Sequence, residues 1–189
     1  MRTYLKKATE DFGQNNLKPA NTPARNNLRK INDESSKVNE ERRAKFHSIV
    51  MLLIHIAIRR KRDMQPAISF LLQRVNACTK EDCNKLKRLI YYVVGTIDMI
   101  AFIGAKDLFV LMRFVDTAYA VYNDFRSHTG SATTLEYSVV CSMSLKQKIN
   151  TNSSIYTELV GVSDYFPKLL CTKLFLEVQG VILRRNIVY

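Results

Sequence analysis

Through residue 40 the apolar positions are sparse and follow no period. Asn, Lys and Arg dominate, and Pro19 and Pro23 interrupt the run "KPANTPARNN". Such a stretch reads as a polar arm or linker over residues 1–40, with a short helix at "TYLKKATEDF". The pattern then changes. Residues 40–60 carry the apolar run "FHSIVMLLIHIAI" and end in the basic cluster "RRKR", which suits the last turn of a helix. A second helix is expected over Pro66–Val75, with proline in its first turn. The third has the clearest signals. Thr79 and Asp82 stand at capping-box spacing, and Cys83, Leu86, Leu89, Ile90, Val93 and Val94 recur at helical intervals before Gly95. Lys85, Lys87 and Arg88 fall away from that stripe and give the helix one basic face. Residues 41–95 thus read as a helical segment.

From residue 97 the period shortens. "DMIAFIGAKD", "LFVLMRFVD", "AYAVYND" and "EYSVVCSMS" are β-branched or aromatic runs separated by turn residues. They predict short antiparallel strands joined by hairpins, with Arg126–Gly130 as a polar turn. Helical spacing returns at Ile155, Leu159, Val162 and Phe166, with Ser153 or Ser154 as N-cap. Pro167 is expected to break or restart this helix, and "PKLLCTKLFLEVQG" to form another that ends at Gly180. "NIVY" reads as the beginning of a strand.

Composition narrows the function classes. At 47% hydrophobic the chain has material for a core, so wholesale disorder is not expected. The formal net charge of +12 favours polyanionic partners, nucleic acid first. Cys78, Cys83, Cys141 and Cys171 make no CxxC pair, and His47, His55 and His128 complete no zinc pattern. Reduced, mostly buried thiols are expected, in an intracellular protein of the cytoplasm or nucleus. The start "MRTYLKKATEDF" has no apolar core of a secretory leader, and no run reaches the roughly 20 apolar residues of a membrane span.

One acid closes the first strand: Asp116, in "RFVDTAYA". One acid lies in the first turns of the following helix: Glu158, in "IYTELV". Strands, a helix with a glutamate near its start, and then a further strand suggest a ribonuclease H-like layout, in which two such acids face one cleft. Two-metal hydrolysis needs several carboxylates, because two cations about 4 Å apart must activate water and hold the leaving oxygen. Lys146 and Lys148 before the helix cap, with Arg126 and His128 on the neighbouring turn, are candidate phosphate contacts. Tyr91, Tyr92, Tyr119 and Tyr122 are candidate stacking residues, though aromatics in such contexts are more often core.

The order of several motifs resembles the C-terminal part of copia-type LTR-retrotransposon polyproteins, where reverse transcriptase ends and ribonuclease H begins. "NTPA" looks like the link after the polymerase. "FHSIVMLLIHIAIRRKRDMQPAISFLLQRV" and "KLKRLIYYVVGTID" are similar to the helical connection of that family. "RFVDTAYA", "RSHTG" and "KQKINTNSSIYTELVG" resemble its first strand, the turn after it, and the approach to the first ribonuclease H helix. The resemblance implies an α/β architecture: a helical connection followed by a truncated ribonuclease H-like, mainly antiparallel sheet with packed helices over residues 96–189. It implies Asp116 and Glu158 as the catalytic, Mg2+-binding acids, and an RNA–DNA hybrid and the polymerase part of the polyprotein as partners. Departures are specific. Ile155, Tyr156 and Thr157 replace Thr-Glu-Ala, Arg62 replaces a proline, and the third acid, which follows a strand like "NIVY" in the family, is not in this sequence. Activity is therefore left open, and turnover by the isolated chain is not expected. Two further functions stay open: a non-catalytic basic nucleic-acid-binding module, and a helical protein-interaction element built on residues 46–58.

Overall fold

The computed structural model describes residues 2–13, 18–32, 34–105 and 107–189. It is a mixed α/β structure whose described residues form five α-helices and a four-stranded mixed sheet. The chain divides into two compact units, Met1–Ala101 and Phe102–Tyr189.

The first unit is helical. Helix α1 (Arg2–Phe12) lies in the stretch expected to be an arm, and it buries Leu5 and Ala8 against its neighbours. Helix α2 (Glu40–Arg59) starts where the Asn39 side chain accepts from the Arg42 N–H at 3.0 Å. Glu40 and Glu41 in its first turn and Arg59 in its last suit the helix dipole. Its stripe Phe46, Ile49, Val50, Leu53, Ile56 and Ala57 is buried, while His47 and His55, expected at the core or its boundary, are exposed. A single 3-10 turn (Arg62–Met64) leads into α3 (Gln65–Gln73), with Pro66 in the first turn. Helix α4 (Lys80–Gly95) has the full capping box: Thr79 caps the Asp82 N–H, and the Asp82 carboxylate accepts from the Thr79 N–H at 2.9 Å. The same carboxylate, 2% exposed, meets Arg74 Nε at 3.1 Å, so this buried acid has a basic partner as well as the cap.

Residues 18–32 and 34–38 run along α4. The Ala20 N–H bonds to Tyr91 O, the Lys80 N–H to Ser36 O, and Lys37 bridges Thr79. Gly95 lets this segment approach, because a Cβ there would stand 3.1 Å from Pro19 Cβ.

The second unit has β1 (Val110–Ala118), β2 (His128–Thr134), β3 (Val139–Lys146), α5 (Ser154–Val178) and β4 (Arg185–Val188). The sheet order is β3-β2-β1-β4. Strands β1–β2 and β2–β3 pair antiparallel, and β4 joins β1 in parallel. The apolar core is small: Leu111, Leu169 and Leu183, with Leu135, Leu176, Val181 and Val188 around them.

Several expectations are corrected. Residues 98–105 and 119–124 form no strand; Lys106, in the first of those runs, lies outside the described residues. His128–Gly130, expected in a turn, opens β2. Strand β1 continues two residues past Asp116. Helix α5 runs unbroken through Pro167. That proline removes the bond its N–H would give to the carbonyl of residue 163, but Ser163 and Pro167 are both exposed, so water can satisfy that carbonyl. Of the four thiols only Cys78 is buried, and Cys141 and Cys171 are exposed.

Candidate functional site

Glycine brings α5 to the sheet. Thr157, Gly161, Tyr165 and Leu169, four residues apart, form the face of α5 that is buried. A Cβ on Gly161 would lie 2.8 Å from Thr117 Cγ2 and 3.2 Å from both Val115 Cγ1 and Thr129 Cγ2. Val115 and Thr117 flank Asp116, and Glu158 precedes Gly161 by three residues. The backbones carrying the two acids are therefore held at one end of the β1/α5 layer. Their side chains are not held together. Successive strand residues alternate faces, so Asp116 points to the sheet face opposite Val115 and Thr117, away from α5. Both acids are exposed, and among the described residues neither carboxylate has a hydrogen-bond or ion-pair partner.

A knot of buried polar side chains fixes the start of α5. Ser153 caps the helix, its hydroxyl accepting from the Tyr156 N–H at 3.4 Å. Thr157, fully buried, shares hydrogen bonds with Thr151 at 2.5 Å and Ser127 at 3.3 Å, and donates to Ser153 O. Gln147 Nε2 donates to Thr129 Oγ1 at 2.9 Å and to Thr157 O at 3.0 Å, while its backbone N–H bonds to Ser127 O. Gln147 is the positioning residue that the sequence reading passed over. It lies between Lys146 and Lys148, whose charges drew attention instead, and directly follows the end of β3.

Further along the layer lies a buried cation. Arg113, 1% exposed, donates to Thr133 Oγ1 and Ser131 Oγ, each at 2.8 Å, and its guanidinium stands 5.2 Å from the Tyr165 ring. Its Nε has no partner. Burial lowers its pKa from the ordinary arginine value.

The four candidate phosphate contacts are placed unequally. His128 is buried, with Nδ1 2.7 Å from the Tyr122 hydroxyl and Nε2 2.7 Å from the Ser144 hydroxyl. Lys146 bonds to Asp124 at 2.6 Å and lies over the Tyr122 ring, and Arg126 reaches the same carboxylate at 3.6 Å. Desolvation works against the Asp124 charge, but these two cations outweigh it and hold the carboxyl below its usual range. Lys148 is exposed and makes no ion pair among the described residues. The structure thus draws Arg126 and Lys146 to one acid, places His128 behind them, and leaves Lys148 apart.

On the sheet face that carries Asp116, Phe114 stacks on Tyr189, with centroids 5.0 Å apart and planes at 10°. Both rings are exposed. The sequence reading named other aromatics; the i, i+2 spacing of Phe114 and Asp116 on a strand was the signal for this pair.

Mg2+ needs oxygen donors that converge, and two-cation hydrolysis needs several carboxylates. Asp116 and Glu158 supply two, one of them turned from α5. Among the described residues, no group of three or more His, Cys, Asp or Glu could hold a metal ion. These residues do not compose a two-cation centre.

The chain is 28% identical over 156 residues to the uncharacterized mitochondrial protein AtMg00810 of Arabidopsis thaliana. The match covers 82% of this chain and 63% of that protein, so the chain spans less than two thirds of the relative's length. No family profile matches the chain, and no solved structure matches it. Among the described residues no helix is long and apolar enough to cross a membrane.

Proposed function

We propose that the chain is a fragment of a copia-type LTR-retrotransposon polyprotein, the connection after reverse transcriptase joined to a ribonuclease H-like unit. The parent role is Mg2+-dependent cleavage of RNA in RNA–DNA hybrids, and the isolated chain binds hybrid without turning it over. One observation carries this reading. Three antiparallel strands are followed by a helix and then by a strand parallel to the first, in the order β3-β2-β1-β4, with Asp116 on β1 and Glu158 in the first turns of α5. The ordered motifs that resemble the family fall on these same elements. The inactivity follows from the donor set, since two carboxylates on different faces cannot clamp two cations.

The test uses the whole chain with an RNA–DNA hybrid and a DNA duplex of the same sequence, in Mg2+, beside Asp116→Asn. Tighter binding of the hybrid with no product from either protein is the expected result. Equal affinity for the two duplexes would overturn the ancestry, and a product lost in Asp116→Asn would overturn the inactivity.

A further inference from the structure

Two hollows lie side by side on the outer face of α4, and they share Asn84 and Lys87. The larger, about 620 Å³, lies between α4 and residues 18–28, with Tyr91 in its wall. The smaller, about 440 Å³, lies between α4, α2 and the end of α1, with Phe12 in its wall. Lys18, Arg25 and Lys87 line the first, and Arg42, Lys45, Lys80 and again Lys87 line the second. Among the described residues none of these six makes an ion pair. Glu81 is the single acid in either lining, and Lys85 already neutralises it at 3.2 Å. Arg88 is held in place by Thr22, through its carbonyl at 3.1 Å and its hydroxyl at 2.8 Å. Lys87 is steadied over the Tyr91 ring at 5.6 Å.

Six like charges brought together raise the cost of folding by mutual repulsion unless something offsets it. An anionic ligand does so directly. The two hollows adjoin at Asn84 and Lys87 and are concave, with Tyr91 and Phe12 in their walls among the cations. That suits a flexible chain of phosphates carrying flat bases. It does not suit a lipid surface, which an amphipathic helix meets with an exposed apolar face; the apolar stripe of α4 is turned into the core.

We propose that the two hollows form one track for the backbone of single-stranded nucleic acid, crossing α4 at Asn84 and Lys87. The track uses no residue of the second unit and no metal, so it stands or falls apart from Asp116 and Glu158.

The experiment is fluorescence anisotropy of a labelled single-stranded oligothymidylate with the full chain in EDTA, over a range of salt. Single strands release counterions with a log–log slope of about −0.7 per phosphate contact, so neutralising four to six phosphates gives a slope of roughly −3 to −4. Lys45→Glu with Lys87→Glu should weaken binding at least about tenfold and flatten that slope. The pair Lys45→Gln and Lys87→Gln, which keeps the side-chain stems, should give an intermediate loss with an unchanged circular dichroism spectrum. Lys168→Glu with Arg185→Glu lowers the net charge equally in the second unit and should leave binding nearly unchanged. Equal losses from the two charge-reversing pairs would mean diffuse attraction and overturn the track. So would the absence of binding, or a loss seen only with phosphatidylserine vesicles.

Discussion

The two units are built from opposite materials. In Met1–Ala101 the helices enclose an apolar interior: Phe46, Leu53, Ile56, Met64, Ile68, Phe70, Leu89 and Ile90 are all at most 2% exposed. In Phe102–Tyr189 the layer between α5 and the sheet contains Arg113, Ser131, Thr133, Thr129, Gln147 and Thr157, and the apolar cluster is only three buried leucines with a few neighbours. Meanwhile α5 turns Ile155, Leu159, Phe166, Leu170, Leu174 and Val178 to solvent. The helical unit is held by nondirectional burial. The sheet unit is held by its ladder, by buried side-chain hydrogen bonds and by one close backbone approach. Errors of volume should therefore damage the first unit most, and errors of geometry the second.

The largest expected effect is in the helical unit. Leu53 on α2 is fully buried, and Leu53→Ala removes its contacts and leaves a cavity, at a cost of about 2–5 kcal/mol. Native-state amide exchange is the measurement. Protection should fall throughout α2, α3 and α4 and be kept in β1–β3. Equal loss in both units would erase the contrast.

The same difference in materials explains what could be read from the sequence. The helices were legible because apolar residues at helical spacing and capping residues, Thr79 with Asp82 and Ser153, state their elements locally. Strand β2 was not. "HTGSATT" has no apolar alternation, and its inward positions Thr129, Ser131 and Thr133 are hydroxyls whose partners, Gln147 and Arg113, are 18 or 20 residues away. Pro167 misled for a different reason, since a break on an exposed helix face needs only water. For the candidate site, resemblance singled out Asp116 and Glu158. It could not show that strand alternation sends Asp116 to the face away from α5. Nor could it show that Arg126 and Lys146 share Asp124.

A smaller effect is expected from Gly161→Ala, about 1–3 kcal/mol. The added methyl is opposed by Thr117, Thr129 and Val115, and β-branched side chains cannot turn aside freely. The helix must lift, and the Gln147–Thr157 bond must stretch with it. Amide exchange should quicken in α5 and the C-terminal half of β1 and leave the helical unit unchanged. A neutral result would mean that the close approach is not what positions α5. The contrast between units would then rest on the polar knot alone.

The smallest effect probes the polar inlay of the apolar unit. Tyr92 is buried, and its hydroxyl donates to Asp63, while Lys61 Nζ stands 5.1 Å from its ring and 3.8 Å from the same carboxylate. Burial first, and then the Asp63 bond and charge, raise the phenol from its ordinary 10.0 to about 12. A folded value above the unfolded one favours the neutral phenol in the fold. Its contribution is therefore complete below pH 10 and declines as pH rises from 10 through about 12. Lys61 acts in the other sense. Desolvation lowers it below 10.5, so its share of stability grows as pH rises toward that value. Subtracting a Tyr92→Phe variant from the wild type removes most of the lysine contribution and leaves the phenol. Asp63 is partly exposed, so the difference near neutral pH should be about 1 kcal/mol. Denaturant titrations should show that difference shrinking between pH 10 and 12. A difference that stays constant across this range would mean that the buried hydroxyl does not feel Asp63, and that even this corner of the helical unit is held by volume alone.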